Sequence, residues 1–210
     1  MLSVPSTRGR HTPFQYGALI VDLLEQKYTG QSVALATGLT SKQVTDWCNQ
    51  GLIIGQREPL GKGHRRMFSW FNLMEVALAL ALMEIGVKSP GDAFRAAQRF
   101  SHMGDGSFAR AGDVDALVDA LTDNSDPVRH PGLPFDYKKG ETFLYIAGSR
   151  VTVALHEDGV PPFGEINRAL GNPLGFIALN VSAVFASIVH RMARDYREVL
   201  DEAYPDQKAA

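Results

Sequence analysis

The sequence predicts an α+β fold that is mainly helical. Through the first hundred residues, apolar side chains recur at spacings of three and four, which is typical of amphipathic helices packed on a core. In the rear part, runs rich in β-branched and aromatic residues flank Gly148-Ser149, a turn signal of a β-hairpin. A connector rich in glycine and proline separates the two parts. These observations predict a helical N-terminal domain followed by a small α+β domain.

The front part begins with an arm and continues with short helices. Residues 1–15 are rich in Ser, Thr, Arg, Pro and Gly and contain no acid, so we expect a flexible arm. Apolar spacing predicts helices over residues 16–28, 32–37 and 41–50. The turn Gly38-Leu39-Thr40 separates the second helix from the third, and Gly51 is placed to end the third.

A β-hairpin is predicted after the third helix. The apolar run Leu52-Ile53-Ile54 gives its first strand, and Arg65-Arg66-Met67-Phe68 gives its second, with a glycine-rich tip between them. A helical pair follows, with Ser69 or Asn72 as the cap of its first helix. Residues 16–100 therefore form one predicted domain.

The rear part is predicted to combine a small sheet with a long terminal helix. Residues 101–138 are predicted to form a connector with one short helix, over residues 113–121. Within residues 139–210 the predicted strands are 142–147, 150–155 and 175–181, and the predicted helices are 164–170 and 182–203.

Residues 37–53 are the most distinctive segment. The turn Thr-Gly-Leu-Thr is followed by Lys42-Gln43-Val44, by Trp47 and by a closing Gly-Leu-Ile. The segment Gly-Lys-Gly-His-Arg-Arg-Met-Phe-Ser over residues 61–69 and a helical hinge over residues 84–89 come next. In these motifs and their order, the chain resembles the MerR family over roughly residues 31–100. The resemblance implies a winged helix-turn-helix domain and a transcriptional regulator that binds double-stranded DNA.

The same residues suit that role physically, because an α-helix fits the major groove and its first side chains can reach base edges. Lys42 can contact phosphate or guanine, and Gln43 can pair with adenine. The predicted DNA-binding residues are Ser41, Lys42, Gln43 and Thr45 on the helix, and Lys62, His64, Arg65 and Arg66 on the wing. Asp46 departs from the family pattern and would repel phosphate. Either it points away, pairing with a wing arginine, or the binding geometry differs.

A heptad-like apolar stripe predicts a homodimer. Its members are spaced alternately by four and three residues, as in a coiled-coil seam, and are Phe185, Val189, Met192, Tyr196, Val199 and Ala203. The alternative is that the stripe packs on the chain's own sheet. The resemblance implies that dimerisation and signal sensing follow the DNA-binding domain, with RNA polymerase a further candidate partner and the small-molecule effector unidentified.

Several classes of function find no support in the sequence. It contains no catalytic motif, no phosphate-binding loop and no spaced metal-ligand cluster, so neither an enzyme, a cofactor nor a metal site is predicted. The single cysteine, Cys48, and the absence of an apolar span or signal segment lead us to expect a cytoplasmic protein.

The charge is distributed unevenly along the chain. Residues 1–100 hold 11 Lys and Arg against 7 Asp and Glu, whereas the remainder holds 10 against 16. A polyanion would therefore be contacted by the front half.

Two alternative functions remain open. One is a phage or recombination accessory factor that binds DNA without controlling a promoter, and the other is a protein-interaction module that has lost DNA binding.

Overall fold

The computed structural model describes residues 23–56, 65–104 and 129–204. These residues form an α+β structure with two small sheets, in agreement with the predicted class. The arm over residues 1–15, the helix over residues 113–121, and most of the first predicted helix lie outside the described residues. Residues 23–25 are helical. Tyr28, predicted as helix, instead begins strand β1 (Tyr28–Thr29).

Two short helices follow β1, and each has a threonine as its N-cap. In α1 (Gly30–Thr37) the Thr29 side chain accepts a hydrogen bond from the Ser32 N–H, and Gly38 at φ +79° ends the helix. In α2 (Ser41–Asn49) the Thr40 side chain accepts from the Gln43 N–H, and the Gln43 side chain in turn accepts from the Thr40 N–H. This reciprocal capping box fixes the first turn of α2. The two helices were predicted almost as they occur.

The prediction of a first hairpin strand over Leu52-Ile53-Ile54 was wrong. Strand β2 (Met67–Phe68) pairs antiparallel with β1, with Tyr28 opposite Phe68, and residues 52–56 form turns and coil. Side chains take the place of a ladder there, because the Ile54 N–H donates to Glu75 and the Ile54 carbonyl accepts from Asn72. Ile53 is buried, which explains its apolar character without a strand.

The helical pair consists of α3 (Trp70–Glu84) and α4 (Pro90–Ser101). Ser69 is the cap of α3, and Asn72 reaches back to the Ser69 N–H, so the first of the two predicted caps is the one used. Ser89 caps α4 with proline at its first position. Ten of the fifteen residues of α3 are buried, which makes it the central helix of the core.

The rear sheet has the strand order β4-β3-β5, formed by β3 (Glu141–Ala147), β4 (Arg150–His156) and β5 (Ile177–Asn180). Both pairings are antiparallel. Gly148 at φ +59° makes the two-residue turn between β3 and β4, as predicted. Helix α5 (Phe163–Leu170) covers one face through Ile166 and Leu170, which pack with Tyr145.

The prediction of one long terminal helix was wrong. The segment forms two helices, α6 (Val181–Arg191) and α7 (Tyr196–Ala203). Ala193 adopts φ +57°, and the Asp195 side chain accepts from the Arg197 N–H to begin a new helix. An aspartate at this point caps a helix better than it continues one. The continuous seam predicted for residues 182–203 is therefore interrupted.

The stripe packs inside its own chain. Phe185, Val189, Val199 and Ala203 are buried, and Met192 and Tyr196 are partly buried against the same cluster. Phe185 meets Trp70 of α3 edge-on with ring centroids 5.8 Å apart. Four of the six side chains are thus buried and two are partly buried within one chain, which fits the alternative in which the stripe packs on its own chain.

One hydrophobic cluster unites both parts of the chain, from Leu23 to Ala203. The described end of the predicted connector belongs to this core. There the buried Arg129 guanidinium lies 4.4 Å from the Phe100 ring centroid and donates to the Phe100 carbonyl. Trp70 donates from its indole to the Gly132 carbonyl at 2.9 Å. Residues 129–135 are therefore packed structure rather than an exposed linker.

Candidate nucleic-acid interface

The first turn of α2 presents polar side chains to solvent. Ser41, Lys42 and Gln43 are exposed, while Val44 and Cys48 on the opposite side of the helix are buried in the core. The burial of one side fixes which residues the helix can show to a partner. Thr45 is exposed as well, so all four predicted helix residues lie at the surface.

Gln43 is exposed but already engaged. Its Oε1 accepts hydrogen bonds from the Thr40 N–H at 2.9 Å and from the Thr40 hydroxyl at 2.8 Å. A bidentate contact with adenine needs that oxygen as an acceptor and the amide nitrogen as a donor. Gln43 can therefore donate to a base while the cap is intact, but full pairing with adenine competes with the cap.

Thr45 is also partly committed. Its hydroxyl donates to the Ser41 carbonyl at 2.9 Å within the helix. What remains for a base is a methyl group, which suits the methyl of thymine, and the lone pairs of the hydroxyl oxygen.

Two arginines flank this helix at the entry to β2. Arg65 is exposed, and Arg66 is partly buried, with its Nη2 donating to Asn49 Oδ1 at 3.0 Å. This contact holds the Arg66 guanidinium against the last turn of α2. Lys62 and His64 lie outside the described residues.

An open groove of about 600 Å³ connects Ser41 and Thr45 of α2 with the two arginines. Its walls come from the start of α1, from one face of α2 and from the residues before β2, and include Thr29, Gln31, Ser41, Thr45, Arg65 and Arg66. The pairing of β1 with β2 brings Thr29 and Gln31 to this groove. Neither was predicted as a site residue, although a threonine three residues before Ser32 is the sequence signal of an exposed helix start.

Cys48 lies beneath the groove and is fully buried. Burial raises the pKa of its thiol, although the nearby Arg66 guanidinium acts in the opposite direction. A neutral buried thiol is a poor nucleophile and a poor metal ligand. The side chain therefore serves the packing of α2.

Asp46 is exposed on α2, four residues after Lys42 and thus on the same stripe of the helix. The predicted pairing with a wing arginine does not involve Arg66, whose side chain contacts Asn49 instead. Asp46 is not among the described residues that line the groove. Lys42 is not among them either, so the Asp46 carboxylate opposes the positive charge of Lys42 on the exposed stripe that the two residues share.

A buried carboxylate fixes the turn that follows α2. Glu75 Oε1 accepts from the Ile54 N–H at 3.1 Å and from Gln98 Nε2 at 2.8 Å. Its Oε2 accepts from Asn72 Nδ2 at 3.2 Å and lies 2.9 Å from His102 Nε2. A buried charge needs such partners, and here they join the turn to both helices of the pair. Glu75 was not among the residues singled out from the sequence, because its partners lie 21 or more residues away or depend on side-chain packing.

Comparison with known proteins gave no match: no protein-family model fits the chain, and no curated protein matches it significantly. Over the residues that the structure describes, no helix has the length and apolar character needed to cross a membrane. The same residues contain no group of three or more His, Cys, Asp or Glu side chains that could hold a metal ion.

Proposed function

We propose that this chain is a transcriptional regulator that binds specific sites in double-stranded DNA through the first turn of α2. The observation that carries the proposal is the exposed first turn of α2, with Ser41, Lys42 and Gln43, at the end of a groove that Ser41 shares with Arg65 and Arg66. A capped helix start offers backbone N–H groups and a positive dipole end to phosphate, and the arginines add formal charge next to it.

Each side chain takes a role that follows from its surroundings. Lys42 and Arg65 are exposed and contact the phosphate backbone or guanine. Arg66, held by Asn49, contacts phosphate in a fixed position. Gln43 and Thr45 read base edges with the donor and the methyl group that their internal hydrogen bonds leave available.

The proposal includes a homodimer, since a two-fold pair of such helices would read two related half-sites. Because the C-terminal stripe packs within one chain, we place the dimer contact on another surface. Light scattering of the free protein and the stoichiometry of the DNA complex measure this part separately from DNA binding.

The decisive experiment is selection of duplexes from a random library with the purified full-length chain. We expect one sequence family to be enriched and its affinity to fall linearly with the logarithm of salt concentration. If no duplex is enriched and weak binding is indifferent to sequence, the regulator proposal fails, and the protein-interaction alternative gains support. Bending measured on the selected duplex separates a regulator from a DNA-bending accessory factor.

Variants at the surface test the assignment of roles. Arg66→Ala is expected to weaken all duplexes alike and to reduce the salt slope by about 1, because one phosphate contact is lost. Lys139→Ala is the matched control, since Lys139 is exposed in the rear part and outside the groove. An unchanged salt slope for Arg66→Ala would remove this arginine from the interface.

A further inference from the structure

Strand β4 leaves one edge of the rear sheet open. The order β4-β3-β5 puts β4 at the end of the sheet, and the Ala147–Arg150 pair closes its two-residue hairpin. Pairing alternates from that closing pair, so the N–H and carbonyl groups of Val151, Val153 and Leu155 point away from β3. Among the described residues, no hydrogen bond uses these groups. An edge of this kind is a template for a further strand.

A groove of about 780 Å³ follows this edge. Four consecutive residues of β4, 152–155, line it, although alternate side chains of a strand point to opposite faces. The groove therefore runs along the side of the strand rather than over one face. Its opposite wall comes from Pro161 and Pro162 and from Glu165 and Ile166 on α5.

The chemistry of the groove is acidic and apolar. Glu157, Asp158 and Glu165 are exposed carboxylates in its lining, and the described lining residues include no lysine or arginine. Large apolar side chains are exposed beside them: Val160 is 66% exposed, and Phe163, next to Pro162, is 54% exposed. Exposed apolar residues around an open strand edge indicate a site of protein interaction.

We propose that the open edge of β4 and helix α5 bind an extended, positively charged segment of a partner protein, which adds to the sheet as a fourth strand. The backbone groups of Val151, Val153 and Leu155 bind the main chain of the segment. Its apolar side chains contact Val160 and Pro162, and its lysines or arginines lie near the three carboxylates. The charge selects this occupant over a second copy of the chain, because two such acidic edges would repel each other.

The probe is a displayed library of random twelve-residue peptides, panned against the full-length chain, and the strongest sequence is then synthesised. Enriched sequences are expected to carry lysine or arginine together with aliphatic residues. Exchange of backbone amide protons, followed by NMR, is expected to slow at Val151, Val153 and Leu155 when the synthetic peptide is added. The amides of the alternating residues Thr152 and Ala154 already pair with β3 and should change little.

Charge reversal tests the recognition. The double variant Glu157→Lys and Glu165→Lys is expected to weaken peptide binding on the order of tenfold or more, because each replaces an attraction by a repulsion. Glu198→Lys is the control, since Glu198 is also exposed but lies on α7. All three sites are at the surface, so folding should persist, and circular dichroism checks this.

Three results would overturn the proposal: enrichment of acidic peptides, equal losses in the double variant and the control, or peptide binding without slowed exchange at the three edge amides. Slowed exchange at those amides in the free protein, together with a dimer in light scattering, would assign the edge to a second copy instead. None of these outcomes depends on DNA binding by α2.

Discussion

Two helical surfaces were singled out from the sequence, one polar and one apolar. The fold exposes the polar surface and buries the apolar one. The first turn of α2 is exposed around Lys42 and Gln43, whereas Phe185 and Val189 of the C-terminal stripe are buried. Polar residues at a helix start indicate a free surface because burying them costs energy. Apolar spacing of three and four indicates only that the side is covered, and the chain itself can provide the cover.

The largest expected effect belongs to the buried surface. Phe185→Ala removes a ring that is fully buried against Trp70, so we expect a loss of about 3–5 kcal/mol in the free energy of unfolding. Denaturant unfolding of the purified chain measures this loss. Phe163→Ala is the matched control, because Phe163 is half exposed and should cost far less.

A different result would restore the dimer seam. If Phe185→Ala left unfolding unchanged and instead converted a dimer into a monomer, the stripe would be an interface and its burial within one chain would be wrong. Sedimentation of the same sample at several concentrations distinguishes the two cases.

Local signals explain which elements could be predicted. The turn at Thr40, the cap at Ser69 and the Gly148 turn each act within a few residues, so the sequence indicates where these elements begin or turn. The bonds from the Gln43 and Asn72 side chains back to these caps were not predicted. The pairing of Tyr28 with Phe68 joins residues far apart, and no local pattern discloses it. The helix break at Ala193 also escaped prediction, because apolar spacing continues through it while Asp195 begins a new cap.

The candidate site also has features that could be predicted from the sequence and features that could not. Exposure of Ser41, Lys42 and Gln43 followed from the apolar face of α2, but the internal hydrogen bonds of Gln43 and Thr45 depend on side-chain conformation. The bond between Arg66 and Asn49 depends on the tertiary approach of β2 to α2. Sequence reasoning therefore found the surface and missed how much of its hydrogen bonding is already used.

His130 makes the buried region sensitive to acid. Burial lowers its pKa to about 4 from 6.5, and the charge of Arg129 acts in the same direction. Between these values the unfolded chain binds a proton that the folded chain excludes. The contribution of His130 to the free energy of unfolding is therefore fully present above pH 6.5. It is lost as the pH falls toward 4, which lowers the free energy of unfolding by roughly 3 kcal/mol.

Unfolding measured at several pH values checks this expectation against His130→Phe. Phenylalanine keeps a ring beside Tyr204, which stacks on His130 with centroids 5.3 Å apart, and has no proton to bind. We expect the variant to lose less stability than the wild type between pH 6.5 and pH 4. Equal losses would assign the acid sensitivity to other groups.

Two substitutions of Gln43 separate base recognition from the general attraction to phosphate. Gln43→Ala is expected to relax discrimination at one base pair of the selected duplex, worth about 1–3 kcal/mol. Gln43→Glu retains an acceptor for the capping box and thus the stability of α2, but its charge weakens binding to every duplex. Competition binding with single-base changes in the duplex measures both. Uniform losses on all sequences for Gln43→Ala would show that Gln43 reads no base.

The smallest expected effect is a gain. Asp46 lies on the same stripe as Lys42, and its charge opposes phosphate binding. Asp46→Asn should therefore strengthen binding to all duplexes by about 0.3–1 kcal/mol at low salt, with the difference fading as salt rises. Glu84→Gln, an exposed change at the end of α3, is the control for net charge alone. Equal gains from both variants would mean that Asp46 acts only through the overall charge, and the stripe that bears Lys42 would then not face DNA.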